Sequence, residues 1–171
     1  LLSMRSDFTY PVNEKLLLES GIKSEYVNID NTSDYKNREQ QEWEPDYGLS
    51  SHFIYKEHIN ALYFNSRIAR YKFVLEAGLR IENTNIKGQL PGNRLQADSS
   101  FSKSYINLFP SVTLSYQAGK NHSLNLSYRR RIDRPNYQDM NPFVYIFDTY
   151  TYEQGNTTLQ PQFSDNLELS Y

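Results

Sequence analysis

No cysteine occurs anywhere in the 171 residues, which excludes a disulfide framework and any thiolate metal site. Charge of one sign is not in excess either. Eighteen basic and 20 acidic residues leave a formal net charge of -2, which favours neither a nucleic-acid surface nor an acidic tail. Long apolar runs are missing, and nothing approaches the roughly 20 consecutive apolar residues of a membrane-spanning helix. The opening LLSMRSDFTY carries charge within five residues and has no apolar core, so it does not read as a secretory signal. Catalytic and nucleotide signatures are absent too: there is no G-x-S-x-G, no phosphate-binding loop and no H-E-x-x-H.

What is present is aromatic. Fifteen tyrosines and 9 phenylalanines accompany a single tryptophan in a chain that is polar on average. Disordered chains are poor in aromatics. An aromatic, polar chain without apolar runs fits a wall whose two faces meet different solvents.

The pattern along the chain has period two. In YKFVLEAGLRIENTNI, Tyr71, Phe73, Leu75, Ala77, Leu79 and Ile81 share one face, and Lys72, Glu76, Gly78, Arg80, Glu82 and Thr84 share the other. Segments around Leu16–Ile29, Tyr105–Tyr116, Leu124–Ile132 and Phe163–Tyr171 alternate in the same way. The spacing i, i+2, i+4 and the Tyr, Phe, Ile, Val and Thr content predict strands of about ten residues, not helices.

Connections alternate in length. Tight turns are predicted at Pro11–Glu14, near Ala69–Tyr71 and at Ala118–Asn121. Long connections, usually functional or mobile when they lack structure of their own, are predicted at about 30–51, 87–103 and 133–160. Consecutive hairpins turn at opposite edges of a sheet, so all long loops emerge at one edge. The expected fold is all-β: an antiparallel up-and-down meander of about seven strands, forming part of a transmembrane β-barrel. A soluble β-sandwich, with apolar faces packed on each other, is the alternative from periodicity.

One stretch carries more than periodicity. SLNLSYRRRIDRPNYQDMNPFVYIFDTYTYEQGNTTLQPQFSDNLELSY resembles the C-terminal barrel region of TonB-dependent outer-membrane receptors of the Bacteroidetes type. The matching positions include Arg130, Arg131, Ile132, Arg134, Pro135, Tyr137, Asn141, Pro142, Phe143, Tyr150–Tyr152, Gly155, Asn156, Leu159, Pro161, Glu168, Leu169 and Tyr171. EAGLRIENTNIKG and NLFPSVTLSY resemble two further blocks, so the resemblance spans most of the chain, with Asp30–Ser51 the least recognisable part. Thr157 and Gln162 depart from the family's usual Pro and acidic residue.

The resemblance implies a receptor in the bacterial outer membrane, bounded by lipid, that imports a scarce nutrient: a siderophore, haem, cobalamin, a glycan or a peptide. It also implies TonB as a partner, acting through a plug domain that these residues do not contain. Receptors with plugged lumens have about 22 strands, so residues 1–171 are expected to be a piece of a longer barrel that continues past Tyr171. Such a piece alone, with unpaired edges, is expected to self-associate or to fold over into a compact barrel or sandwich.

Candidate ligand contacts follow from residue type and position. Arg129 and Arg131 share the inward face and could attract an anion, and Tyr145, Phe147, Tyr150 and Tyr152 offer stacking surfaces. The competing structural role pairs the arginines with Glu76 and Glu82 and uses the rings for packing. Trp43, among Glu39, Glu42, Glu44 and Asp46, could meet a cation or a sugar, or lie in a solvated flap.

No metal, cofactor or catalytic residue is assigned. His52 and His58 lack a third ligand, and Asp30–Gln41 has Tyr35 and Gln41 where a calcium loop needs Gly and Glu. Two other functions compete with transport: a sandwich-type module holding glycan or protein, and an outer-membrane hydrolase. The hydrolase would need a Ser/His or Asp/His pair at one rim.

Overall fold

The computed structural model describes residues 1–39 and 42–171; Gln41, and the side chain of Glu39, lie outside the described residues. Seven main strands form one antiparallel sheet: β1 (Leu2–Asn13), β2 (Leu16–Ser33), β5 (Ser51–Arg70), β6 (Phe73–Leu90), β7 (Ser99–Gln117), β8 (Ser123–Asp133) and β11 (Gln162–Ser170). Each pairs with its neighbour in chain order, so the topology is the expected meander. Two small hairpins sit in the long connections: β3 (Lys36–Glu39) with β4 (Glu42–Pro45), and β9 (Val144–Asp148) with β10 (Thr151–Gln154). A single helical turn, α1 (Tyr137–Met140), precedes the second hairpin.

The central strands are longer than the sequence pattern suggested. β2, β5, β6 and β7 have 18, 20, 18 and 19 residues. A tilted strand crosses the bilayer core in about 9–11 residues, so each runs well beyond it. The connections shrink accordingly. Strand pairing carries β6 to Leu90 and resumes at Ser99, leaving only residues 91–98 of the expected 87–103 loop. The excess was hidden because alternation changes sense. On β6 the outward residues are Phe73, Leu75, Ala77, Leu79 and Ile81, followed by Asn83, Asn85 and Lys87. After Val74 the inward residues are Glu76, Gly78, Arg80, Glu82 and Thr84, and then become Ile86 and Gly88. Counting one greasy face per strand therefore stops at Ile81.

The tight turns fall where they were expected, with one shift. Tyr71 and Lys72 form the β5–β6 turn, so Tyr71 leaves the strand face assigned to it, and its φ is 53°. Aromatic pairs mark this end of the sheet. Phe73 stacks on Tyr116 with ring centroids 4.6 Å apart, Phe8 on Tyr10 at 6.4 Å, and Tyr171 on His122 at 5.7 Å. They correspond to an interfacial girdle.

The apolar outward face is bare. Ile22, Leu62, Phe64, Leu79, Ile106, Leu108, Leu167 and Leu169 are all exposed. No second sheet covers them among the described residues, so the sandwich alternative does not hold. Nor does the single chain close: the sheet order starts at β1 and ends at β11, with no partner beyond either among the described residues. The expectation that the piece folds over on itself is not met here.

Among the described residues, the one apolar core lies on the inward face at the long-loop end. Phe53, Tyr55 and Ile86 from the sheet meet Met140 and Phe143 from the segment after β8.

Candidate functional site

The segment from Asp133 to Pro161 is not a free loop. Arg134 enters it by reaching back to the sheet, where its Nη2 donates to Glu82 Oε2 and, at 3.3 Å, to Thr84 Oγ1. Glu82 is 1% exposed and also pairs with Arg80 two residues earlier. Asn136 then caps α1. Its Oδ1 accepts from Gln138 N at 2.8 Å and Asp139 N at 3.0 Å, while Asp139 Oδ2 accepts from Asn136 N. This one helical turn drops Met140 and Phe143 into the core.

Asn141 is fully buried and satisfied: its Nδ2 donates to Tyr145 Oη at 2.8 Å and its Oδ1 accepts from Phe143 N at 3.2 Å. The chain then returns across α1. Gly155 N donates to Asn141 O at 2.9 Å and Asn156 N to Asp139 O at 2.6 Å. A Cβ on Gly155 would lie 2.6 Å from the carbonyl oxygens of Gln138 and Asp139 and closer still to that of Asn141. Glycine is required for this close approach, not for an unusual φ. The Arg-Pro, Asn-Pro-Phe and Gly-Asn elements thus hold one another as a latch on the inward face.

Below the latch the inward face is basic. An open groove of about 400 Å³ is bounded by Arg5, Lys23, Arg80, Arg129 and Arg131, with Tyr63 on its floor. Three of these cations pair two residues along their own strand: Arg5 with Asp7 at 2.8 Å, Lys23 with Glu25 at 2.7 Å, and Arg80 with Glu82. Tyr63 lies across Gly21 on the neighbouring strand and donates to Asp7. Arg129 and Arg131 form no ion pair among the described residues. Glu76 is taken by Arg67 at 3.2 Å, and Glu82 by Arg80 and Arg134. The pairing of Arg129 and Arg131 with those two carboxylates is therefore replaced. Arg134, which belongs to the motif but was not singled out, does that work. Arg130 points outward, with its guanidinium 5.1 Å from the Phe163 ring centroid.

The five aromatic candidates separate. Tyr145 is part of the latch and also accepts from Asn31 Nδ2 at 3.2 Å. Phe147, Tyr150 and Tyr152 occupy the β9–β10 hairpin, exposed, with Tyr150 at 94%. Trp43 lies on a different hairpin, 64% exposed, with the Arg38 guanidinium 5.9 Å from its ring centroid.

That hairpin is not an unstructured flap. Asp46 closes it by accepting from Leu49 N, Gly48 N and Asn37 Nδ2, and these donors hold its carboxyl below the usual range, the Leu49 amide foremost. Asn93 Nδ2 ties the 91–98 loop to it through Tyr47 O at 2.8 Å and Ser50 O at 3.0 Å.

The histidines find partners the sequence did not reveal. His52 Nε2 lies 2.6 Å from Asp30 Oδ1, and His58 Nε2 lies 3.1 Å from Ser24 Oγ. The Ser24–His58 pair is on the outward face. Ser24 Oγ also donates to Asn60 Oδ1 at 2.8 Å, and no side chain orients the second ring nitrogen of His58 among the described residues. A serine nucleophile needs that third group. No cluster of three or more His, Asp or Glu able to hold a metal occurs among the described residues.

A meander with a bare apolar band, an aromatic girdle at its tight turns and a polar inward face has the arrangement of an outer-membrane wall. The family model for the outer membrane protein beta-barrel family matches residues 1–171, the whole chain. The chain belongs to the outer membrane protein beta-barrel family. Membership places the barrel in the bacterial outer membrane and gives the bare face its solvent, lipid. No curated protein matches the chain significantly. Outer-membrane barrels carry short periplasmic turns and longer extracellular loops, which puts the latch, at the long-loop end, on the extracellular side.

Proposed function

We propose that this wall belongs to a TonB-dependent receptor importing a scarce nutrient, and that it is not an enzyme. The observation that carries the reading is the latch. An extracellular segment folded inward through Arg134, Met140, Asn141 and Phe143 narrows the barrel mouth above a basic groove. A receptor that holds its ligand before release would use such a narrowed mouth.

Three features support further detail. Strands of 18 to 20 residues raise the wall far above the membrane, as a deep external binding mouth requires. Neither sheet edge is paired among the described residues, and only full closure satisfies backbone groups in lipid. On this reading further strands complete the barrel, and a plug that TonB pulls belongs to the same receptor. Arg129 and Arg131, free of carboxylates, favour an anionic ligand at the groove, with Phe147, Tyr150, Tyr152 and Trp43 exposed above for stacking. Siderophores, haem, cobalamin, glycans and peptides remain the ligand classes, and the anionic members fit the groove best.

The test is uptake by cells carrying the whole receptor, with and without an inner-membrane proton gradient. Import that stops when the gradient collapses is expected. Uptake that continues unchanged would identify a passive channel and sink the reading. Arg129→Gln with Arg131→Gln should weaken binding of an anionic ligand roughly a hundredfold or more, at about 1.5–3 kcal/mol for each charged hydrogen bond lost.

A further inference from the structure

We propose that Arg134 sets how strongly the basic groove holds an anion, without lining it, by taking the carboxylate of Glu82 away from Arg80. The inference rests on the reading of that groove as a ligand site and assigns the residue that regulates it.

Glu82 divides one negative charge between two guanidinium groups. Its Oε1 meets Arg80 Nη2, and its Oε2 accepts from Arg134 Nη2. The three side chains differ in what can reach them. Arg80 lines the groove and is 45% exposed. Arg134 is 19% and Glu82 1% exposed, and neither lines the groove. Of the three, a ligand in the groove touches Arg80.

The surroundings leave the trio to itself. The cross-strand neighbours of Arg80 are Tyr63 and Phe109, and those of Glu82 are Ala61 and Asn107, so none is a carboxylate or a cation. Arg80 and Arg134 pair with no carboxylate but Glu82 among the described residues. Arg134 Nε is buried without a hydrogen-bond partner. Its charge is met at Nη2, by Glu82 and the Thr84 hydroxyl.

Counting charges gives the effect. With Arg134 seated, two arginines share one carboxylate, and one positive charge is in excess. Without Arg134, Arg80 and Glu82 cancel. Both carboxylate oxygens then turn to Arg80 in the bidentate geometry that guanidinium and carboxylate favour, which draws Arg80 away from the groove. Arg129 and Arg131, having no carboxylate, keep their charge in either state. Because Arg134 begins the latch, the groove reaches its full charge only with the latch seated on the wall.

The test uses the whole receptor in uncharged detergent at low salt. The probe is a trisulfonated pyrene dye, with binding read by fluorescence anisotropy. Arg129→Gln with Arg131→Gln should abolish binding, which places the dye in the groove. Arg134→Gln should weaken binding roughly fivefold to tenfold, the lower end of the range for coupled sites, because solvent screens the half-exposed Arg80. Arg134→Gln with Glu82→Gln removes both charges and leaves Arg80 unpaired. That double variant should recover wild-type affinity although the latch has lost its anchor. A latch acting by shape alone would leave the double variant as weak as the single one. Unchanged binding in Arg134→Gln, or no recovery in the double variant, overturns the inference and leaves the groove reading intact. A wild type that does not bind the dye, or binding that survives the loss of Arg129 and Arg131, overturns the groove reading itself and this inference with it.

Discussion

Arg134 donates to the carboxylate of Glu82, a residue 52 positions earlier and on the second strand away from its own in the sheet. The contact joins the start of the latch to the wall. Removing one partner of a buried ion pair costs about 3–5 kcal/mol when the remaining charge is stranded. Arg80 stays beside Glu82 and reduces that penalty. Arg134→Gln should therefore loosen the latch by about 2–3 kcal/mol without unfolding the sheet. Limited proteolysis checks it: cleavage between Tyr137 and Gln160 should accelerate while the strands stay protected.

Gly155→Ala tests the latch from its far end. Three backbone carbonyls, those of Gln138, Asp139 and Asn141, stand where the methyl group would go. Backbone yields less readily than a side-chain tip, so the overpacking cost should be about 1–3 kcal/mol. The bonds from Gly155 N and Asn156 N should open. Amide exchange at those two positions is the measurement, and unchanged protection would refute the close approach.

Met140→Ala removes a fully buried side chain from the small core. The expected loss is about 2–5 kcal/mol, set by how far Phe53 and Phe143 can collapse. Phe147→Ala, on the exposed hairpin, should leave stability unchanged within about 0.5 kcal/mol. Thermal unfolding of the two variants side by side separates packing from display.

Arginine substitutions can map the lipid band. Val112 lies opposite Ala77, midway along the apolar stretch of β6 and β7. Val112→Arg should cost about 2–4 kcal/mol, and Ser104→Arg, beyond the band, about 0–1 kcal/mol. Refolding into lipid vesicles from denaturant gives both numbers. Equal costs would mean the band has been drawn in the wrong place.

The chain alone exposes the edges of β1 and β11 and the whole apolar face. In water it should associate through them, and detergent should suppress this. A compact, stable monomer in sedimentation without detergent would show that these surfaces find each other.

The meander was legible because lipid and water impose alternation residue by residue. Phe73 to Ile81 announces both strand and face. The extensions above the membrane were not legible, since there the inward side becomes apolar at Ile86 and Phe53 and the outward side polar at Asn83 and Asn85. Alternation continues with its meaning reversed. The latch was visible only as a motif. Its turn residues, Pro135, Asn141, Pro142 and Gly155, read as loop because they are ordered by irregular contacts within the segment, such as Gly155 N to Asn141 O, and by the tie of Arg134 to Glu82, a strand residue 52 positions earlier. The role of Arg134 itself was hidden behind the Arg129–Arg131 run. Parity places those two on the inward face but does not say which cation reaches Glu82.

The exchange of polarity at Ile81 and Asn83 sets the depth of the molecule. Sliding the wall two residues towards the cell interior would draw the Asn60–Asn83 row into hydrocarbon. Sliding it the other way would lift Leu62 and Ile81 out of the hydrocarbon into the polar interface. The same row marks, on the opposite face, the buried Glu82 that anchors the latch. The latch is therefore kept at a fixed height above the bilayer, as though the wall carried its own waterline.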